Sequence, residues 1–87
     1  MPPPEDPPAW WAWQVRLTPH LRKRMIDRGF NEVEVRSMLE SPQRIVEDHE
    51  PGRFAVDAVH RGRRWRLIVE PDPSAEALVV ITAFRPG

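Results

Sequence analysis

Eighty-seven residues make one small domain, near the size at which a single core only just offsets chain entropy. The absence of cysteine excludes a disulfide frame and a thiolate metal site, and no apolar run approaches the roughly 20 residues that cross a bilayer. Thirteen basic residues balance thirteen acidic ones, which argues against a protein built simply to coat nucleic acid.

The neutral total conceals a bias. Twelve of the basic residues are arginine, and the stretch from Arg16 to Glu70 holds twelve basic against nine acidic residues. Arginine presents a planar fork suited to phosphate, although a GC-rich genome produces the same bias. The first residues lack the basic-then-apolar pattern of a secretory leader. The expectation is a cytoplasmic protein, or one delivered into a target-cell cytoplasm.

In chain order, residues 1–13 read as a Pro/Trp-rich arm and 14–87 as the folded domain. MPPPEDPP is mostly proline and cannot form helix or sheet. Trp10, Trp11 and Trp13 follow, then Val15 and Leu17. The alternation predicts an extended segment that covers the core; the alternative is an arm that docks on a partner, where large aromatics carry binding energy. Thr18-Pro19 is a helix start and Gly29 a helix stop. Between them His20, Arg24 and Arg28 recur every four residues on one line, with Leu21, Met25 and Ile26 as the neighbouring apolar stripe. Asn31-x-x-Glu34 has the form of a capping box. It opens a second helix, with Val35, Met38 and Leu39 buried, that ends at Ser41-Pro42.

Beyond that point the period becomes alternating. Arg44–His49 reads as a strand, and Glu50-Pro51-Gly52-Arg53 as a type II turn. Phe54–His60 and Arg63–Glu70 form a hairpin about Arg61-Gly62, with Trp65, Leu67 and Val69 on one face and Arg64, Arg66 and Glu70 on the other. Pro71–Ser74 reads as a loop, and LVVITAF within Ala77–Arg85 as a central strand. The predicted class is α+β: two N-terminal helices packed on one face of a four- to five-stranded, mainly antiparallel sheet.

His20-x-x-x-Arg24-Met25-x-x-Arg28-Gly29, then Glu34-Val35, Leu39, the Pro42 break and the closing Val80-Ile81-Thr82-Ala83-Phe84-Arg85-Pro86 resemble the family called domain of unknown function 4258. That family in turn resembles RelE-like and BrnT-like toxins of the barnase/EndoU/colicin E5/RelE group. The resemblance implies metal-independent RNA cleavage, in which the ribose 2′-hydroxyl attacks and leaves a 2′,3′-cyclic phosphate. It also implies no cofactor, and a cognate antitoxin or immunity protein as partner. By motif position it makes His20, Arg24, Arg28 and Thr82 the catalytic set. Phe84 stands where that pattern leads one to expect tyrosine.

Such a reaction needs a base, an acid and cations for the phosphorane charge. His20 is the candidate for proton transfer, Arg24 and Arg28 hold phosphate oxygens, and Thr82 donates to a non-bridging oxygen. Arg64, Arg66 and Arg85 are the candidate substrate-binding cations. Each has a plainer alternative. His20 can be a surface residue of a first turn, Arg24 and Arg28 can pair with Asp27, Glu32 or Glu34, and Thr82 can be a β-branched core residue. Arg61–Arg64 reads as an exposed hairpin tip or a basic turn against RNA. His49 and His60 have acidic neighbours but no metal-ligand spacing. The competing functional reading is a catalytically inactive module of the same fold that binds RNA, or a protein through its Pro/Trp arm.

Overall fold

Thr18 begins the first helix in the way its chemistry dictates. Its backbone is extended and its side-chain oxygen accepts from the Leu21 amide at 3.1 Å, so α1 runs Pro19–Arg28. Gly29, at φ 71°, closes it in the left-handed region that glycine occupies without strain. The structure, a computed structural model, describes residues 9–86; the proline-rich stretch 1–8 lies outside them. Asn31 caps α2 (Glu32–Glu40), accepting from the Glu34 amide at 2.9 Å.

The sheet is formed by β1 (Gln14–Leu17), β2 (Pro42–Glu47), β3 (Phe54–His60), β4 (Arg63–Asp72) and β5 (Ala77–Phe84), in the order β1-β5-β4-β3-β2. The last four strands are an antiparallel meander, and β1 lies parallel to β5. Both helices contribute to one core: Leu21, Phe30, Val35, Met38 and Leu39 pack with Val56, Leu67, Val69, Leu78 and Val80. The class is therefore α+β with two helices on one face of a mixed, mainly antiparallel sheet.

Four local readings need correction. Trp10–Trp13 is not extended: Ala9–Ala12 is a short 3₁₀ helix, closed by the Trp13 amide on the Trp10 carbonyl at 3.1 Å. A strand would send neighbouring side chains to opposite faces, whereas the turn packs both Trp10 and Trp11 against the core. Ile26 is 84% exposed, because at 100° per residue it lies well round the helix from Leu21 and Met25. β2 starts at Pro42 rather than Arg44, with a register irregularity between them. Finally, β4 continues through Pro71 and Asp72, paired with Leu78 and Ala77. Proline is tolerated there because β3 has already ended at Phe54, opposite Val69, leaving Pro71 as an edge residue.

A bulge in β5 decides which side chains face the helices. Val80 pairs with Val69 and Thr82 with Ile68, so Ile81 is the extra residue and the alternation inverts across it. Val80 and Ala83 therefore both reach the core, and Thr82 turns to the opposite face. The Ile81 carbonyl freed at the bulge accepts from the Thr18 hydroxyl at 3.0 Å. The start of α1 is pinned to the sheet at that point.

Candidate functional site

The line of His20, Arg24 and Arg28 runs along α1, and of the three Arg28 alone lines one of the two hollows described below. Its Nη1 donates to the Ala83 carbonyl at 3.4 Å, and its charge sits in the last turn, where helix carbonyls favour a cation. His20 is exposed and Arg24 half-buried. Neither Arg24 nor Arg28 pairs with Asp27, Glu32 or Glu34; Glu32 instead holds Arg36 at 3.4 Å.

Arg28 opens into a cleft of about 780 Å³ where α1 ends, α2 begins and the β3–β4 hairpin turns. Arg61 and Arg63 from the hairpin and Arg85 beyond β5 line it as well. Arg61 carries φ 53° and Gly62 φ 75°, the paired positive values of a type I′ turn, so β3 and β4 join without a spacer. His60 is consequently directly opposite Arg63. Trp65 forms part of the wall, edge-on to Phe30 at 5.0 Å, with the Arg85 guanidinium 6.0 Å over its ring.

One carboxylate faces these four guanidiniums. Glu34 does not reach back to the Asn31 amide as a full capping box would. Its oxygens lie 3.4 Å from Arg61 Nη2 and 3.8 Å from His60 Nε2. Arg61 is thereby neutralised, while Arg28, Arg63 and Arg85 have no carboxylate partner among the described residues. Three guanidiniums from three parts of the chain, without carboxylate partners among the described residues, form a cationic cluster whose chemistry suits phosphate.

Thr82 and Arg66 lie elsewhere. They line a shallow groove on the sheet face away from the helices, with Val46, Ala55, Ile68 and Ile81. Arg66 is committed to Asp57, donating from Nε at 2.7 Å and Nη2 at 3.4 Å. The hydrogen bond and charge of Asp57 raise the guanidinium above its ordinary pKa. Arg64 is exposed and lines neither hollow. Of the sequence-predicted residues, the fold thus unites Arg28 with Arg85 and keeps Thr82 and Arg66 together on the opposite face, apart from His20 and Arg24. Phe84, at the end of β5, borders both hollows.

His60, Glu34 and Trp65 were not singled out from the sequence as site residues, and Arg63 only as part of the Arg61–Arg64 turn. Their signal was present in strand parity: His60 shares a face with Val56 and Ala58, and Arg63 with Trp65 and Leu67. The Asn31 cap places Glu34 in the first turn of the helix above them. Among the described residues no three His, Cys, Asp or Glu side chains are placed to hold a metal ion, and no helix is long and apolar enough to cross a membrane.

No curated protein and no solved structure matches the chain. Residues 17–85, from the end of β1 to the cleft arginine after β5, match the family model described as domain of unknown function (DUF4258). The match includes both helices, the meander and every arginine of the cleft, and the chain belongs to the DUF4258 family.

Proposed function

We propose that this domain is a metal-independent endoribonuclease that binds RNA in the arginine cleft and cleaves it by attack of the ribose 2′-hydroxyl, leaving a 2′,3′-cyclic phosphate. The observation that carries the reading is the convergence of Arg28, Arg63 and Arg85, none with a carboxylate partner among the described residues, beside Trp65. Guanidiniums bind non-bridging phosphate oxygens as forks and stabilise charge that develops on them. The resemblance to RelE-like and BrnT-like toxins suggests the reaction class, and this reading locates the reaction in the cleft.

Within this reading the α1 line acquires a different role from the one the motif implies. His20 and Arg24 lead towards Arg28 over eight residues of helix, about 12 Å at 1.5 Å per residue, and contact backbone phosphates outside the cleft. Thr82 and Arg66 act on the groove face, where Phe84 joins the two surfaces. A cognate antitoxin or immunity protein inhibits the enzyme by covering the cleft with acidic side chains.

Phe84 favours one competing reading, a module of the same fold that holds RNA without cutting it, because it brings no hydroxyl to the junction of the two hollows. The purified domain and an Arg63→Glu variant, incubated with RNA in excess chelator, separate the cases. Cleavage by the wild type with cyclic phosphate ends, reduced at least tenfold by Arg63→Glu, is the expected result. RNA retention without turnover establishes the binding module instead, and neither retention nor cleavage refutes both.

A further inference from the structure

We infer that His60, rather than His20, is the proton-transfer residue of the cleft, with Glu34 as the group that positions it. The inference rests on the ribonuclease reading and assigns its chemistry to residues outside the α1 motif.

To take a proton from a substrate hydroxyl, one ring nitrogen must be open to the substrate and the ring must be held in a fixed orientation. His60 ends β3 on the face that carries Val56 and Ala58, and its side chain is 17% exposed. Nε2 is shielded from solvent and has no hydrogen-bond partner, and it is the one such side-chain atom among the described residues. Its nearest opposite charge is Glu34, with Oε2 at 3.8 Å. The side chain lines the cleft.

Glu34 is itself held. The Asn31 cap fixes its amide, and Arg61 Nη2 lies 3.4 Å from its other oxygen. A carboxylate anchored on a helix and directed at one imidazole nitrogen leaves the other to face the ligand. The charged groups around His60 are Glu34 from α2, Arg61 and Arg63 from the hairpin, Arg28 from α1 and Arg85 beyond β5. The three guanidiniums without a carboxylate partner among the described residues therefore line the same cleft as this imidazole. His20, by contrast, is exposed on α1 and lines neither hollow.

In the step this implies, the 2′-oxygen forms its bond to phosphorus as its proton passes to Nδ1 of His60. The imidazolium then forming is stabilised by Glu34 across Nε2. The bond from phosphorus to the 5′-oxygen breaks, and the departing oxygen takes a proton from solvent water. His60 returns its own proton to water, so the enzyme ends the cycle unchanged.

The test compares wild type with His60→Gln, Glu34→Gln and His20→Gln on one RNA oligonucleotide. Cleavage rate, RNA affinity and the pH–rate profile are read for each, and folding is checked by circular dichroism. His60→Gln is expected to lose cleavage by about 100-fold or more, the range for removal of a general base, while RNA affinity changes less than about threefold. Glu34→Gln is expected to lower the rate about tenfold and to displace the pH–rate profile, which a purely structural role would not do. His60→Gly, rescued by added imidazole, keeps the test valid if glutamine disturbs the hairpin. Cleavage retained by His60→Gln and abolished by His20→Gln overturns the assignment and leaves the ribonuclease reading standing. A wild type that cuts no RNA ends both.

Discussion

The Thr18 hydroxyl carries two structural duties at once, and its removal has a calculable cost. It accepts the Leu21 amide as the cap of α1 and donates to the Ile81 carbonyl at the β5 bulge. Loss of an N-cap costs about 1 kcal/mol, and loss of the second bond about another 1 kcal/mol. Thr18→Val keeps the shape and removes both, so it should cost about 2 kcal/mol. A chain of 87 residues has a total stability of about 4–13 kcal/mol, so this is a large fraction. At about 4–8 °C per kcal/mol in a domain of this size, Tm should fall by about 8–16 °C. Thr18→Ser keeps the hydroxyl and should stay within about 0.5 kcal/mol of wild type. Urea unfolding followed by circular dichroism measures both. A valine variant as stable as wild type, or a serine variant as unstable as valine, would refute the claim that this hydroxyl pins α1 to the sheet.

Two further outcomes follow from the charges. The slope of log affinity against log salt for single-stranded RNA should shrink by about 0.7 for each phosphate contact removed. Arg28→Gln and Arg63→Gln should each show that decrease in filter-binding titrations, whereas Arg36→Gln, already paired with Glu32 on the outer side of α2, should leave the slope unchanged. In the β4–β5 turn the Ser74 hydroxyl, 2.8 Å from Asp72, is the main cause holding that carboxyl below its ordinary pKa. A depressed carboxyl stabilises the fold above its unfolded value of about 3.9, and that contribution disappears as pH falls through the folded value. Ser74→Ala should therefore melt below wild type near pH 7, and the two melting curves should converge as pH falls below the folded value.

Most of the fold was legible because its local signals agree. Thr18-Pro19, Gly29 and Asn31 delimit the helices, the Gly52 and Arg61-Gly62 turns separate the strands, and Val35, Met38 and Leu39 are all buried where helical period places them. Two features were not legible for physical reasons. Consecutive tryptophans satisfy both a strand and a tight turn, and only the core behind them decides that both must face inward. The run Val79–Phe84 is apolar on either parity, so nothing in it marks Ile81 as the bulge that turns Thr82 away from α1.

The candidate site was legible in part. Arg28 was identifiable by motif position and Arg85 as a candidate substrate-binding cation, and the fold brings them to one cleft. His60 and Arg63 follow from strand parity, but they acquire meaning only when the hairpin closes beneath the start of α2. That packing also brings the Glu34 carboxylate near Arg61 and His60 rather than to the Asn31 amide. A capping-box pattern thus became the support of an imidazole, through a tertiary contact that sequence spacing does not contain.

The central claim is that the arginine cleft holds RNA for attack by its own 2′-hydroxyl. An oligodeoxynucleotide with one internal ribonucleotide, incubated with the domain and read by mass spectrometry, tests it most directly. The account predicts a single cut after the ribonucleotide, a 2′,3′-cyclic phosphate on the new 3′ end, and no cut in the all-deoxy control. Cleavage at a deoxynucleotide, or a 5′-phosphate on the downstream fragment, would contradict it.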